Sequence, residues 1–407
     1  MPTINAARVL HDLRHLRTLG AYQTGVHRPS LTPNHLASLQ WLKAELEQLG
    51  HATVIDGIGN VLGQSPAPGR KLLAGSHLES QNHAGWLDGP LGVVYALEAA
   101  RAVKADPALA GCAVDVGAWC DEEGHFGTFL GSRSAIGKVA EAEIDAASDR
   151  TSGRTMREAL EASGLAGCPR VVVDAKRYAG YFEAHIEQGD WLEANNLRIG
   201  VVTAIVGARQ FRITFEGTQN HAGTTRMAIR RDAGLACAKL AVAIDERFPR
   251  ECGPRTVWTT GQITLEPGAP SIIPGRAEML FQFRDTDAAL LDRLEAVLQE
   301  LVGAADRAGP CRVSAERLRR GMPAVMSEPF QAATEAAAEA RLPGCHTRMP
   351  SGAGHDAQIF AEIMPSAMLF VPSIGGISHH WTENTSDADI VLGAEVFVDA
   401  IERILRG

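Results

Sequence analysis

Four clusters along the chain carry side chains suited to chemistry. Gly75-Ser76-His77-Leu78-Glu79 closes an apolar run, and Asp88-Gly89-Pro90 begins nine residues after Glu79. An imidazole such as that of His77 can bind a metal, and an acid two residues on can orient the ring or a water; the plainer alternative is a loop histidine. Trp119-Cys120-Asp121-Glu122-Glu123-Gly124 sets three acids directly after a predicted strand. Paired carboxylates suit one group on a cation and its neighbour as a general base toward water, against the alternative of a solvated acidic turn. Glu183-Ala184-His185-Ile186-Glu187-Gln188-Gly189 reads either as a polar face carrying a ligand or as a half-exposed edge strand. Gly375-Gly376-Ile377-Ser378-His379-His380 is a glycine-rich turn ending in two imidazoles, or a surface loop. The combined supply of His, Asp, Glu, His and His suits zinc, manganese, cobalt or nickel, and does not favour calcium or iron–sulfur chemistry. Two such ions ~3.5–4 Å apart on a bridging carboxylate polarise a carbonyl and acidify water, which is the chemistry of hydrolysis.

These residues need elements to hold them. Thr32-Pro33 forms an N-cap followed by proline at the first helical position, and Leu39, Leu42, Leu46 and Leu49 repeat at helical spacing until Gly50. Short β-rich runs follow at Ala52–Ile55, Val61–Leu62, Leu72–Ala74 and Val114–Trp119, with Leu91–Val103 apolar nearly all round. Strand, buried helix and strand imply an α/β layered domain. Near residue 208 the pattern changes: Phe211, Ile213 and Phe215 alternate with polar residues as in a strand with one wet face. A helix over Arg231–Ile244 follows, then the alternating run Met279, Phe281 and Phe283, then a helix with Leu290, Leu294, Val297, Leu298 and Leu301 on one stripe. Residues 208–321 are thus expected to form a smaller inserted α+β domain between catalytic segments 1–207 and 322–407. Ala367–Val371 resumes an apolar strand, and Gly393–Leu405 is the expected closing helix.

Composition bounds the partners. A 407-residue chain with 45% apolar content suffices for two domains. A formal charge of −9 leaves no basic face for nucleic acid, so a small-molecule partner is expected. The first twenty residues contain no uninterrupted apolar stretch, so neither a leader nor a membrane span is expected. Seven widely spaced cysteines without a C-x-x-C pair fit reduced thiols and a cytoplasmic setting. No glycine-rich piece has the pattern or context of a phosphate cradle.

The blocks GSHLESQNHAGWLDGPLGV, CDEEGHFGTFLGSRSAIG, EAHIEQGDWLEANNLRIGVVTAIVG, NHAGTTRMAIRRDA, MPSGAGHDAQ and GISHHWTENTS resemble, in order, those of the N-carbamoyl-L-amino acid hydrolases, allantoate amidohydrolases and β-ureidopropionases. These belong to the co-catalytic zinc aminoacylase and carboxypeptidase superfamily, and the resemblance runs from about residue 35 to the C-terminus. It implies a discontinuous di-metal catalytic domain, an inserted dimerisation or lid domain, and a homodimer. It implies two divalent ions per subunit, bridged by Asp88, with His77 and His185 on one and Glu123 and His379 on the other. Glu122 would be the general base, Glu79 would orient His77, and His221 would cross from the partner subunit to stabilise an oxyanion. Arg284 would clamp the substrate carboxylate, with Gln188, Asn220, Ser271 and His355 at substrate-contacting positions.

Departures from that family pattern leave the substrate open. Glu79 stands where Asp is usual, Ser271 where Asn is common, Arg226 replaces a proline, and His380-Trp381 replace smaller residues. The leading expectation is hydrolysis of a linear C–N bond in a small carboxylate-bearing ureido or amide compound, an N-carbamoyl amino acid by default. The alternatives are an N-acyl amino acid or dipeptide hydrolase, and a binding protein that kept the fold and lost catalysis.

Overall fold

The structure, a computed structural model, describes residues 2–407. The chain forms two compact units, one from the N-terminal segment through Ala204 together with Val325–Gly407, the other Ile205–Ala324.

The first unit is built on a mixed sheet. Seven of its nine strands run in the spatial order Ile199–Ile205, Ser366–Val371, Tyr181–Ile186, Lys71–Ser76, Ala113–Ala118, Val61–Gln64 and Ala52–Ile55, and Ala324–Val325 and His346–Ser351 both pair with Ile199–Ile205. The four from Ser366–Val371 to Ala113–Ala118 are mutually parallel, and antiparallel neighbours flank them. Every residue of those four strands is buried, which is why all but Tyr181–Ile186 read as largely apolar runs. Tyr181–Ile186 is therefore a central strand and not the half-exposed edge that its Glu and His suggest. Glu183 is tolerated inside because its carboxylate accepts from Ser76 Oγ at 2.7 Å and from Ala357 N at 2.8 Å.

Helices cover the sheet. Thr32 Oγ1 caps Pro33–Gln48, and Leu39, Leu42 and Leu46 are its buried stripe. Pro90–Ala105 is buried almost all round. The closing helix is Asp387–Arg406, capped by Ser386, so it starts six residues before the expected Gly393. Its first turn holds Asp387 and Asp389, acids that favour a helix N-terminus but contribute no apolar period.

In the second unit the antiparallel sheet runs Val257–Glu266, Arg276–Asp285, Gly207–Glu216, Arg312–Arg320. Helices Ala233–Arg247 and Ala288–Ala308 pack on it through a core that includes Phe211, Phe215, Phe281, Phe283, Leu240 and Leu294. The first of these helices begins after Asp232, whose carboxylate accepts from Leu235 N at 3.0 Å. Arg209 is wholly buried, yet its guanidinium reaches Asp292 at 2.7 Å, Glu295 at 3.2 Å and the Gly321 carbonyl at 2.7 Å. No helix among the described residues is long and apolar enough to cross a membrane.

Candidate metal centre

The parallel strands deliver their chemistry at their carboxyl ends, where open α/β sheets bind ligands. His77 follows Ser76 directly, His185 is the penultimate residue of Tyr181–Ile186, and Asp121-Glu122-Glu123 lie just past Ala113–Ala118. The turn after Ser366–Val371 carries His379, itself at φ 55°. Asp88 sits two residues before Pro90–Ala105. Between them Gly89, at φ 84°, lies so close to His77 that a Cβ would fall 2.5 Å from the ring. Only glycine lets Asp88 and His77 approach this way.

Two trios converge on Asp88: His77 with His185, and Glu123 with His379. Asp88 Oδ1 lies 3.0 Å from His185 Nε2 and 3.8 Å from His77 Nε2, while Oδ2 lies 3.2 Å from His379 Nε2. Glu123 Oε2 is 3.6 Å from that same His379 nitrogen. One carboxylate thus faces different imidazoles with its two oxygens.

The ring orientations show what belongs in the gap. His77 Nδ1 is 3.1 Å from the Glu79 carbonyl, and His185 Nδ1 is 3.1 Å from the Ile186 carbonyl. Carbonyls only accept, so in each neutral ring Nδ1 carries the hydrogen and Nε2 presents a lone pair toward Asp88. His185 Nε2 is buried and makes no aligned hydrogen bond. Lone pair facing carboxylate is stable only with positive charge between them, either a proton or a metal ion.

Protonation equilibria carry the same message. Burial would depress His185, yet Asp88 outweighs it and lifts the ring to about 9. The hydrogen bond to Asp88 lifts His379 to about 9 despite partial burial. His77, dominated by burial, falls to about 4. Burial and then the charge of Asp88 push Glu123 up to about 7, and burial with the neighbouring acids pushes Glu122 well above the usual carboxylate range. Such crowding of buried acids around imidazole lone pairs is the electrostatic setting that divalent cations relieve. The donor set fits N/O-ligated ions of the zinc and manganese type.

Glu79 holds the His77 ring through its backbone carbonyl and not through its carboxylate. Its carboxylate is 3.8 Å from His77 Nδ1, which bonds the Glu79 backbone carbonyl instead. The side chain, one methylene longer than Asp, accepts from Glu122 N at 2.7 Å and approaches His35 Nε2 at 3.6 Å. Gln188 donates to Asp88 Oδ2 at 3.0 Å. His355 is buried, its Nε2 3.0 Å from Ser351 Oγ and its ring 4.5 Å from that of His185.

The other expected substrate residues belong to the second unit. Asn220-His221 pairs with Ile272–Ile273, and Ala222 N donates to the Ser271 carbonyl at 2.9 Å, so Asn220, His221 and Ser271 come together. Arg284 does not join them. It lies at the far end of Arg276–Asp285, opposite Val257 and Ala208, roughly 25 Å along the strand at ~3.3 Å per residue.

Two supports escape motif reading. Buried Glu383 accepts from Leu87 N at 3.3 Å, Asp88 N at 3.2 Å and Ser378 Oγ at 2.9 Å, tying the His379 turn to Asp88. Its position in GISHHWTENTS, four residues after His379, is the available signal. Buried Arg28 donates to the carbonyls of Leu78 at 2.6 Å and Leu16 at 2.5 Å, bracing the loop after His77. No local pattern marks it.

Residues 67–403 match the family described as Peptidase family M20/M25/M40. The chain belongs to this family. It is 34% identical to an N-carbamoyl-L-amino-acid amidohydrolase of Paenarthrobacter aurescens over 98% of either chain. It is 31% identical to an allantoate amidohydrolase of Bacillus subtilis over 93% of either chain. A solved amidase of the hydantoinase/carbamoylase family from Burkholderia phymatum superposes with a TM-score of 0.91 at 44% identity, covering 100% of this chain and 99% of that one. The fold is thus the mixed α/β fold of this peptidase family, and the two His and carboxylate trios are its candidate metal-binding residues.

Proposed function

We propose that the protein hydrolyses a linear C–N bond in a small carboxylate-bearing ureido or amide compound, with an N-carbamoyl amino acid as the substrate. The observation that carries this reading is the pair of trios sharing Asp88, each aiming an imidazole at a different carboxylate oxygen. Full-length similarity to amidohydrolases named for carbamoyl amino acids and for allantoate supports the bond type. His77 and His185 would hold one ion, Glu123 and His379 the other, with Asp88 between. When bound, the two ions supply Lewis acidity toward the scissile carbonyl and make water more acidic.

Glu122 acts as the general base. Its Oε2 is 3.8 Å from His77 Nε2, and burial among the neighbouring acids raises its proton affinity well above that of an ordinary carboxylate; it takes a proton from water and hands it to the leaving nitrogen. Water adds to the carbonyl carbon, the C–N bond breaks, and a carbamoyl substrate yields an amino acid, carbon dioxide and ammonia. His221 Nδ1 accepts from Gly223 N at 3.0 Å and Thr224 N at 3.2 Å, which leaves Nε2–H free to donate to a developing oxyanion. Arg284 clamps the substrate carboxylate, its planar guanidinium fitting a carboxylate bidentately. Asn220 and Ser271 flank His221, while Gln188 and His355 line the metal side.

The separation within the second unit supports a homodimer. His221 and Arg284 stand too far apart to touch one small substrate from the same chain, so His221 serves the partner's site. Seven free cysteines support a reducing, cytoplasmic setting. Turnover of the N-carbamoyl and N-acetyl forms of one amino acid tests the substrate: ammonia release from the carbamoyl form is expected to dominate, and a strong acetyl preference would replace this reading with an acylase.

A further inference from the structure

Asp121, the first acid of the turn that carries Glu122, has φ 67°, a left-handed conformation that a residue with a side chain keeps only when its surroundings hold it. The direction of the Glu122 side chain therefore depends on what grips this turn. The Asp121 carboxylate accepts from Ser30 Oγ, His125 N and Gly127 N, each at 2.8 Å, and from Phe126 N at 3.1 Å. The amide of Glu122 is held from outside the turn, donating to Glu79 Oε1 at 2.7 Å, and Glu123 N approaches the same oxygen at 3.5 Å.

The other Glu79 oxygen faces His35. Oε2 is buried without a hydrogen-bond partner, and so is His35 Nε2, 3.6 Å away, with both side chains wholly enclosed. That separation exceeds an aligned hydrogen bond and is too short to admit a water. His35 Nδ1 accepts from Leu31 N at 3.0 Å, so in the neutral ring Nε2 carries the hydrogen. In a dry interior an N–H and a carboxylate attract far more strongly than in water. His35 is itself fixed, as the third residue of Pro33–Gln48, with its backbone N donating to the capping Thr32 Oγ1 at 3.4 Å. One methylene longer than Asp, Glu79 spans from the end of Lys71–Ser76 to both the Glu122 amide and the His35 ring.

We propose that His35 is a positioning residue for the general base. It holds Glu79 Oε2, Glu79 Oε1 holds the Glu122 amide, and the Glu122 carboxylate is thereby kept 3.8 Å from His77 Nε2. This role rests on the reading of Glu122 as general base.

His35→Leu and His35→Gln test it in the full-length protein, by turnover of the faster of the N-carbamoyl and N-acetyl substrates, by bound metal, and by amide hydrogen exchange over residues 119–127. Leucine fills the space without a donor, whereas glutamine carries an acceptor and a donor side by side, as imidazole does. His35→Leu is expected to lower kcat at least about tenfold, leave KM and bound metal within about twofold, and speed exchange at the Glu122 amide at least about tenfold. His35→Gln is expected to recover kcat and exchange protection to within about threefold of wild type. If His35→Leu does not fold, Glu79→Gln replaces it with the same expected losses, since either orientation of the new amide sets an N–H against the His35 or the Glu122 N–H. Equal behaviour of the Leu and Gln variants, a loss carried by KM or by metal content, or unchanged exchange overturns the proposal. Wild-type turnover by Glu122→Gln would overturn the reading of the base and this proposal with it, whereas an inactive Glu122→Gln beside a fully active His35→Leu would overturn this proposal alone.

Discussion

Glu122, the proposed general base, and Arg28, which braces the loop after His77, are two buried residues with different expected roles at the centre. Glu122→Gln removes a proton acceptor without changing shape, so turnover is expected to fall by about 10²–10⁴-fold while bound metal, measured by elemental analysis, stays at the wild-type level. An equal loss of metal would make Glu122 a ligand. Arg28→Ala strips donors from the buried Leu78 and Leu16 carbonyls, at roughly 1–3 kcal/mol each, and thermal unfolding is expected to show a correspondingly lower midpoint. His77, Glu123, His185 and His379 were legible because each stands in a compact cluster at a strand end or turn. Arg28 and Glu383 were not, because they act on backbone groups distant in sequence, and no spacing rule encodes that contact.

Elements were read best where a period or a cap is strong. Thr32-Pro33 and the leucine stripe after it gave the helix Pro33–Gln48 directly. Thr32→Ala is expected to cost about 1–2 kcal/mol in chemical denaturation, since the cap and the hydroxyl's bond to the Pro29 carbonyl are both lost. In the second unit Leu294 is fully buried on the helix Ala288–Ala308, and Leu294→Ala is expected to cost about 2–5 kcal/mol. If that denaturation occurs in a separate transition, the unit unfolds independently. Periodicity failed at Tyr181–Ile186, where interleaved Glu and His mimic a wet face. The strand is buried on both sides because Ser76 and the Ala357 amide satisfy Glu183, and His185 belongs to the trio on Asp88.

At the scale of the molecule, sequence order alone could not show that His221 pairs in a short ladder near the start of Arg276–Asp285 while Arg284 lies at that strand's far end, since strand pairing decides it. The proposed function accordingly has His221 serve the partner's site in a dimer. Mixing inactive Glu122→Gln and His221→Ala proteins under conditions of subunit exchange is therefore expected to restore about a quarter of wild-type activity, because half the dimers are mixed and each has one intact site. No recovery would place His221 in its own chain's site. The central claim is that two ions on either side of Asp88 make the hydrolase. Its most direct test is ammonia release from an N-carbamoyl amino acid by chelator-stripped protein, followed as zinc, manganese, cobalt or nickel is returned in measured amounts. The account predicts no turnover without metal and a maximum near two ions per chain, whereas full activity with one ion or none would contradict it.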